Sequence, residues 1–355
     1  MEAQMTKRRT TLRDVAKEAG VSLGSASAAL NGLPGVSEET RQRVKEAARR
    51  LNYKLAHTSQ GRARMLAFIC FRKNDWPTPE DMFLSPIIMA MAEATRRHKH
   101  VFQFHIFDAM PRHERQQAIA EFAREGLCDG YVLFVFSELN EIDVVELNEI
   151  GLPYVILGES PKLIEADCVY VDNRRGGYDA TDYLIRNGRR RLAFLSGPPD
   201  SLDSLNRFRG YREALAAHGI DFDSRLFEVG NYSVEEGYRA MQSILARVDS
   251  PPDGIFCADD RIGQGAVKAL KDHGLRVPED VSVIGFDDSI AAICSVPPLT
   301  TMRQPLDSLG ASAINLLAER LKDPMGEKKR IVLTPELIVR ESCVIRSRED
   351  QSIPS

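Results

Sequence analysis

Three short stretches near the start of the chain carry apolar residues at helical spacing. Leu12, Val15, Ala16 and Ala19 form the first stripe, and Thr11 ahead of them has Asp14 three residues on, close to a capping box. Gly20 can adopt the left-handed conformation that closes a helix, and Ser22 is placed to cap a second one with Ala26, Ala29 and Leu30 facing inward. A third begins at Ser37, carries Glu38 and Glu39 in its first turn, and aligns Val44, Ala47, Ala48 and Leu51. The three stripes predict a small closed core. It is either a plain three-helix bundle or a helix-turn-helix whose second helix enters a DNA major groove.

After residue 65 the pattern changes to short apolar runs separated by helical stretches, which predicts parallel α/β units. Strands are expected at 66–71, 101–107, 130–136 and 153–157, with helical patterns such as 87–98 and 114–126 between them. The cycle restarts at 191–197, 227–232, 254–259 and 281–288, so two similar lobes are expected.

Charge separates the two regions. Residues 1–64 hold 13 Lys+Arg against 6 Asp+Glu, a net +7, and the rest hold 34 against 45, a net −11, which together give the −4 of the whole chain. A basic headpiece on an acidic body suits neutralisation of DNA phosphates and favours the DNA-reading alternative. The 355 residues and 43% hydrophobic content suffice for a large core beside a small one. No signal-peptide pattern and no apolar run long enough for a membrane span occurs, so a cytoplasmic location is expected. Six scattered cysteines without a C-x-x-C pair predict buried thiols, with neither disulfide nor metal.

Catalytic signatures are missing from the chain: there is no phosphate loop, no dinucleotide fingerprint, no nucleophile elbow and no H-E-x-x-H. His98 and His100 fall at a helix end, where a solvated cation is the simpler reading than a metal site. No catalytic residue, cofactor or metal is expected.

Longer motifs carry a family resemblance. TLRDVAKEAGVS from 11, LN at 30–31, VSEETRQRV at 36–44, LNY at 51–53, VDN at 171–173, RRLAFLSGPPDS at 190–201, RFRGYREAL at 207–215, GLRVPEDVSVIGFDDS at 274–289 and PPLTTMRQP at 297–305 are similar, in this order, to the LacI/GalR family of bacterial transcription repressors. The resemblance spans about residues 10–343. It implies an all-α helix-turn-helix headpiece plus an α/β two-lobed, periplasmic-binding-protein-like clamshell that binds an effector. The implied division is 10–64 for the DNA-binding headpiece and hinge linker and 65–346 for the effector-binding and dimerisation domain. Lobe 1 then covers about 65–171 and 303–327, and lobe 2 about 172–302 and 328–346, with crossings near 171, 302 and 328.

The resemblance also assigns residues. Arg13, Ser22, Ser25, Ser27 and Asn31 fall where relatives contact DNA, and Thr40 and Tyr53 join that set. Arg207, opening RFRGY, is similar to an arginine that grips effector hydroxyls or carboxylates with its planar fork, the alternative being a surface arginine. Asp287 in GFDD corresponds to an acid that accepts from the ligand, the alternative being a loop cap. Asp259 stands where many members have Asn, which favours a ligand rich in hydroxyl or amine donors. Phe83 in EDMFL is either an apolar wall of the cleft or core packing. Trp76 either stacks on a sugar face or anchors its loop.

The chain departs from the family pattern in three places. Ser25-Ala26-Ser27-Ala28 replaces T-V-S-R, so no long donor reads a guanine edge from position 28. The linker 53–62 lacks the usual proline and wedge leucine, which points to Arg62 or Arg64 in an A·T-rich minor groove instead. Gly158-Glu159 stands where many sugar-binding members carry Asp. The function implied is a ligand-responsive repressor, homodimeric, whose carbohydrate or polyol effector alters affinity for a palindromic double-stranded operator. The alternative is a small-molecule-binding protein with a degenerate headpiece.

Overall fold

The computed structural model describes residues 11–30, 36–51, 64–71, 83–108, 110–134, 141–159, 166–324 and 326–343. Asn31, Tyr53 and Arg62, the linker 53–62 and Trp76 lie outside the described residues. The chain divides into two compact units between Arg64 and Met65.

In the first unit, α1 (Leu12–Ala19) opens on a complete capping box: Asp14 N donates to Thr11 Oγ1 at 3.3 Å and Thr11 N donates to the Asp14 carboxylate at 2.8 Å. Gly20 closes the helix at φ 65°, a conformation that a side chain would strain. Ser22 Oγ accepts from Ser25 N at 3.0 Å and starts α2 (Leu23–Leu30), and Ser37 Oγ accepts from Thr40 N at 3.2 Å and starts α3 (Glu38–Arg50). Val15, Ala26, Ala29 and Val44 meet at the fully buried centre, where the alanines let the helices approach closely. Two α3 arginines hold the ends of the other helices. Arg43 Nη2 donates to Ala19 O at 2.6 Å, and Arg41 Nη1 to Ala29 O at 3.2 Å.

The second unit begins with β1 (Met65–Phe71), α4 (Leu84–Arg97), β2 (Val101–Phe107), α5 (Arg112–Arg124), β3 (Gly130–Phe134), α6 (Glu141–Ile150), β4 (Tyr154–Leu157) and β5 (Cys168–Val171). The chain then crosses to a second lobe. There it forms α7 (Asn173–Arg186), β6 (Leu192–Ser196), α8 (Leu202–Ala217), β7 (Phe227–Val229), α9 (Val234–Arg247), β8 (Gly254–Cys257), α10 (Asp260–Asp272), β9 (Ser282–Asp287), the short α11 (Ile290–Cys294) and β10 (Thr300–Arg303). It returns for α12 (Leu306–Lys322) and β11 (Arg330–Leu333) in the first lobe, and ends on β12 (Glu336–Ile338) in the second.

The first sheet has the order β11-β5-β4-β3-β1-β2, with every pair parallel. The second, β12-β10-β9-β8-β6-β7, is parallel except for the antiparallel edge strand β12. Helices cover both faces of the sheets, which explains why β1, β3, β6 and β8 read as unbroken apolar runs. Each order reverses beside its first strand, and α/β sheets of this kind place ligands outside the strand carboxyl ends at that switch point.

The third crossing differs from the expected position near 328. Residues 330–333 pair with β5 in the first sheet, so the chain crosses between Leu333 and Glu336. Strands β5, β10, β11 and β12 were not foreseen. They are three or four residues long, and β10 and β12 mix polar with apolar side chains, so only their partners define them. Of the cysteines, five are buried as expected and Cys294 is exposed. His98 closes α4 half-buried, its Nε2 2.9 Å from Asn315 Oδ1 on α12.

Candidate functional site

The carboxyl ends of the second sheet gather a polar cluster around Arg207. This side chain sits within α8 and is only 3% exposed, so it is not a surface arginine. Its Nε donates to Asn173 Oδ1 at 2.7 Å, its Nη1 donates to Ala258 O, and its Nη2 lies 3.6 Å from Asp287 Oδ1. The guanidinium carbon stands 3.7 Å over the Phe286 ring, a cation–π seat that holds the plane of the fork. The glycines that let α7 meet α8 help to place it, because a Cβ at Gly177 would overlap the Arg207 backbone carbonyl.

Asp287 ends β9 with φ 109°, in the left-handed region that disfavours a side chain. It does not cap a following helix. Its Oδ1 accepts from Gln304 Nε2 at 2.6 Å, and burial, opposed by Arg207 and reinforced by Asp259, raises its pKa to about 7. Asp259 does cap: Oδ1 accepts from Ile262 N at 2.7 Å at the start of α10, and Arg261 Nε reaches Oδ2 at 3.3 Å. Burial also raises its pKa. Beneath both, Asp260 accepts from Thr301 Oγ1 at 2.6 Å and from Ser289 N at 2.7 Å, and burial pushes its carboxyl well above the ordinary range.

The opposite lobe supplies Glu159, just after β4. Its carboxylate accepts from Asn206 Nδ2 on α8 at 2.7 Å, so one hydrogen bond spans the two lobes. Burial, with Asp203 and Asp172 nearby, raises its pKa. Asp203 accepts from Asn173 Nδ2 at 2.9 Å, and Tyr232 pairs its hydroxyl with Ser201 Oγ at 2.7 Å. Phe83 packs half-buried on the first lobe's core, its ring 6.3 Å from that of Phe134.

The structure thus brings Arg207, Asp259 and Asp287 together and leaves Phe83 in the other lobe's packing. In the first unit Arg13 and Ser22 are exposed, while Ser25, Ser27 and Thr40 are half-buried; Ser22 and Ser25 bond to each other at 2.8 Å and Thr40 to Ser37 at 2.9 Å. Sequence reasoning missed Asn173, Asp203, Asn206 and Gln304. Asn173 and Gln304 lie inside VDN and PPLTTMRQP, which carried the resemblance but were given no role. Nothing along the chain marks the pairing of Asn206 with Glu159.

Residues 11–55 match the family of bacterial regulatory proteins, lacI family, and residues 181–343 match the periplasmic binding protein-like domain. The chain is 34% identical over 341 residues to the HTH-type transcriptional regulator CelR of Thermobifida fusca, covering 95% of this chain and 99% of that one. It is 30% identical to the HTH-type transcriptional repressor PurR of Histophilus somni (strain 129Pt), over 94% and 98%. The solved transcriptional regulator CelR–cellobiose complex superimposes with a TM-score of 0.70 at 33% identity, covering 94% of this chain and 100% of that one. The lac repressor dimer bound to operator and the anti-inducer ONPF, at 22% identity and a TM-score of 0.69 over 95% and 100%, shares the fold. The chain belongs to the LacI family of bacterial transcriptional regulators.

Proposed function

We propose that this regulator is a cytoplasmic homodimeric repressor, without catalytic activity, that binds an uncharged sugar or polyol between its lobes. Residues 10–64 serve as headpiece and hinge, and 65–346 as effector and dimer domain. The observation that carries the effector class is the balance of the cleft: Asp203, Asp259 and Asp287 lie near Arg207, Asp259 and Asp287 also near Arg261, and Glu159 near Asp203 and Arg330, while Arg207 is already engaged by Asn173, Ala258 and Asp287. Acceptors outnumber available cations, which suits hydroxyl donors and repels phosphates or carboxylates. CelR, similar along its whole length, has been solved with cellobiose, and a neutral disaccharide is the effector class we assign here.

On the DNA side, Arg13, Ser22, Ser25, Ser27 and Thr40, with Asn31, Tyr53 and Arg62 beyond the described residues, form the proposed contact set. The intact headpiece core argues for specific reading rather than for a degenerate module. Selection from random duplexes by the full chain tests this. Recovery of a palindrome, lost on deleting residues 1–64, is expected, and sequence-blind, salt-sensitive binding alone would refute it. Calorimetry with cellobiose and with its 6-phosphate tests the effector class. Tighter binding of the phosphorylated sugar would overturn it.

A further inference from the structure

The two side chains at the centre of the cleft are each bonded to a residue where the chain passes between lobes. Arg207 Nε donates to Asn173, the first residue of α7, two positions beyond the end of β5 at the first crossing. Asp287 accepts from Gln304, the residue between β10 and Pro305 at the second crossing, and Gln304 is itself 7% exposed. The third crossing reaches the same cluster by packing. A Cβ on Gly176 would lie 2.8 Å from both Pro335 Cγ and the edge of Phe286, the ring beneath Arg207.

Buried amides of this kind are held only where their geometry is satisfied. Asn173 uses both ends of its side chain, accepting from Arg207 and donating to Asp203 at 2.9 Å and to Val171 O at 3.2 Å, back across the crossing. Arg207 and Asp287 are thus each one hydrogen bond away from a crossing. We propose that Asn173 and Gln304 are positioning residues that tie Arg207 and Asp287 to the first two crossings and thereby fix the resting separation of the lobes. This rests on Arg207 and Asp287 being the gripping pair, and it extends the effector reading by naming how the cleft is coupled to the rest of the unit.

The test needs no effector, so its failure is distinct from a failure to find one. Spin labels are placed on the full chain through Glu125→Cys in the first lobe and Lys271→Cys in the second, both exposed, in a Cys294→Ser background. Interlobe distances are then compared with the parent at the same pH. Asn173→Ala and Gln304→Ala are expected to lengthen or broaden the distribution by roughly 2 Å or more, the scale of a domain rearrangement. Gln304→Met, which keeps the stem, replaces the alanine variant should that not fold.

Gln304→Glu supplies the signature that a packing defect would not. Its carboxyl faces Asp287, around which stand Arg207 from α8 and Asp259, Asp260 and Arg261 from the start of α10. At pH 5.5 the pair shares a proton and the distance should coincide with the parent's; at pH 8.5 two carboxylates face one another and the lobes should separate. A departure of Gln304→Glu that is the same at both pH values, or alanine variants indistinguishable from the parent, would overturn the proposal.

Discussion

Glu159 of the first lobe accepts a 2.7 Å hydrogen bond from Asn206 of the second, in a setting that already holds Asp203 and Asp172. Burial and these neighbours raise the Glu159 pKa, so the folded chain holds this proton more tightly than the unfolded chain. Stability from this group is therefore present in acid and lost as pH rises through the raised value. Glu159→Gln keeps an acceptor for Asn206 and removes the charge. Calorimetry should find its Tm above wild type at pH 8 and close to it at pH 4, whereas Asn206→Ala should lower Tm at both.

Asp287, its pKa raised to about 7 by burial, should make effector affinity depend on pH if it is the proposed ligand acceptor. Below that value the carboxyl is neutral and loses acceptor capacity, so binding of a hydroxyl-rich ligand should weaken as pH falls, by at most about tenfold per pH unit. Titration of cellobiose at pH 5.5, 7 and 8.5 should show this slope in wild type. In Asp287→Asn the slope should vanish and the affinity should be low throughout.

Gly177 and Gly210 sit where α7 and α8 cross backbone to backbone, and a Cβ on either would overlap the carbonyl of Arg207 or Arg174. Gly177→Ala should destabilise the second unit by about 1–3 kcal/mol. Because the overlap falls on Arg207 itself, effector binding should suffer more than from an equally destabilising change at Gly263, whose Cβ would press on the Leu299 side chain and make otherwise ordinary contacts.

Asp167, fully buried, takes Arg320 Nε at 2.6 Å and Nη2 at 3.0 Å together with Lys329 N at 2.8 Å. This pair joins the last helix of the first lobe to β5 and β11. Asp167→Ala leaves a buried guanidinium without its counter-charge and should lower stability by about 3–5 kcal/mol in urea unfolding. Exposed Lys268–Asp272, broken as a control, should leave it nearly unchanged.

In the headpiece, Gly20→Ala forces a side chain into the left-handed region and towards Arg43 Nη2 at 3.3 Å. It should destabilise that unit by about 1–2 kcal/mol. Removing the cap with Thr11→Ala should lower stability by about 1 kcal/mol. Gel shifts on the selected operator should then show weaker binding for both, with the salt dependence unchanged because no phosphate contact is removed.

The headpiece was the most legible part of the chain. Caps, a left-handed glycine and apolar stripes are local signals, and Thr11, Gly20, Ser22 and Ser37 act where their spacing puts them. The strands β1, β6 and β9 were legible for a similar reason, since burial on both faces demands continuous apolar runs. Arg207 and Asp287, the proposed effector contacts, came from motif resemblance, which identifies positions without describing their partners.

What the sequence by itself determined is the pair of architectures and the charge division between them, and its motifs marked Arg207, Asp259 and Asp287 as candidate effector contacts. Only the tertiary structure decided that Asp259 caps a helix while Asp287 does not, that the third crossing lies after Leu333, and that Glu159 meets Asn206 across the lobes. The reason is physical. Helix caps and strand burial depend on neighbours a few residues away, whereas each of these pairings joins residues brought together by closing a sheet or crossing between lobes, and no local pattern encodes such a contact.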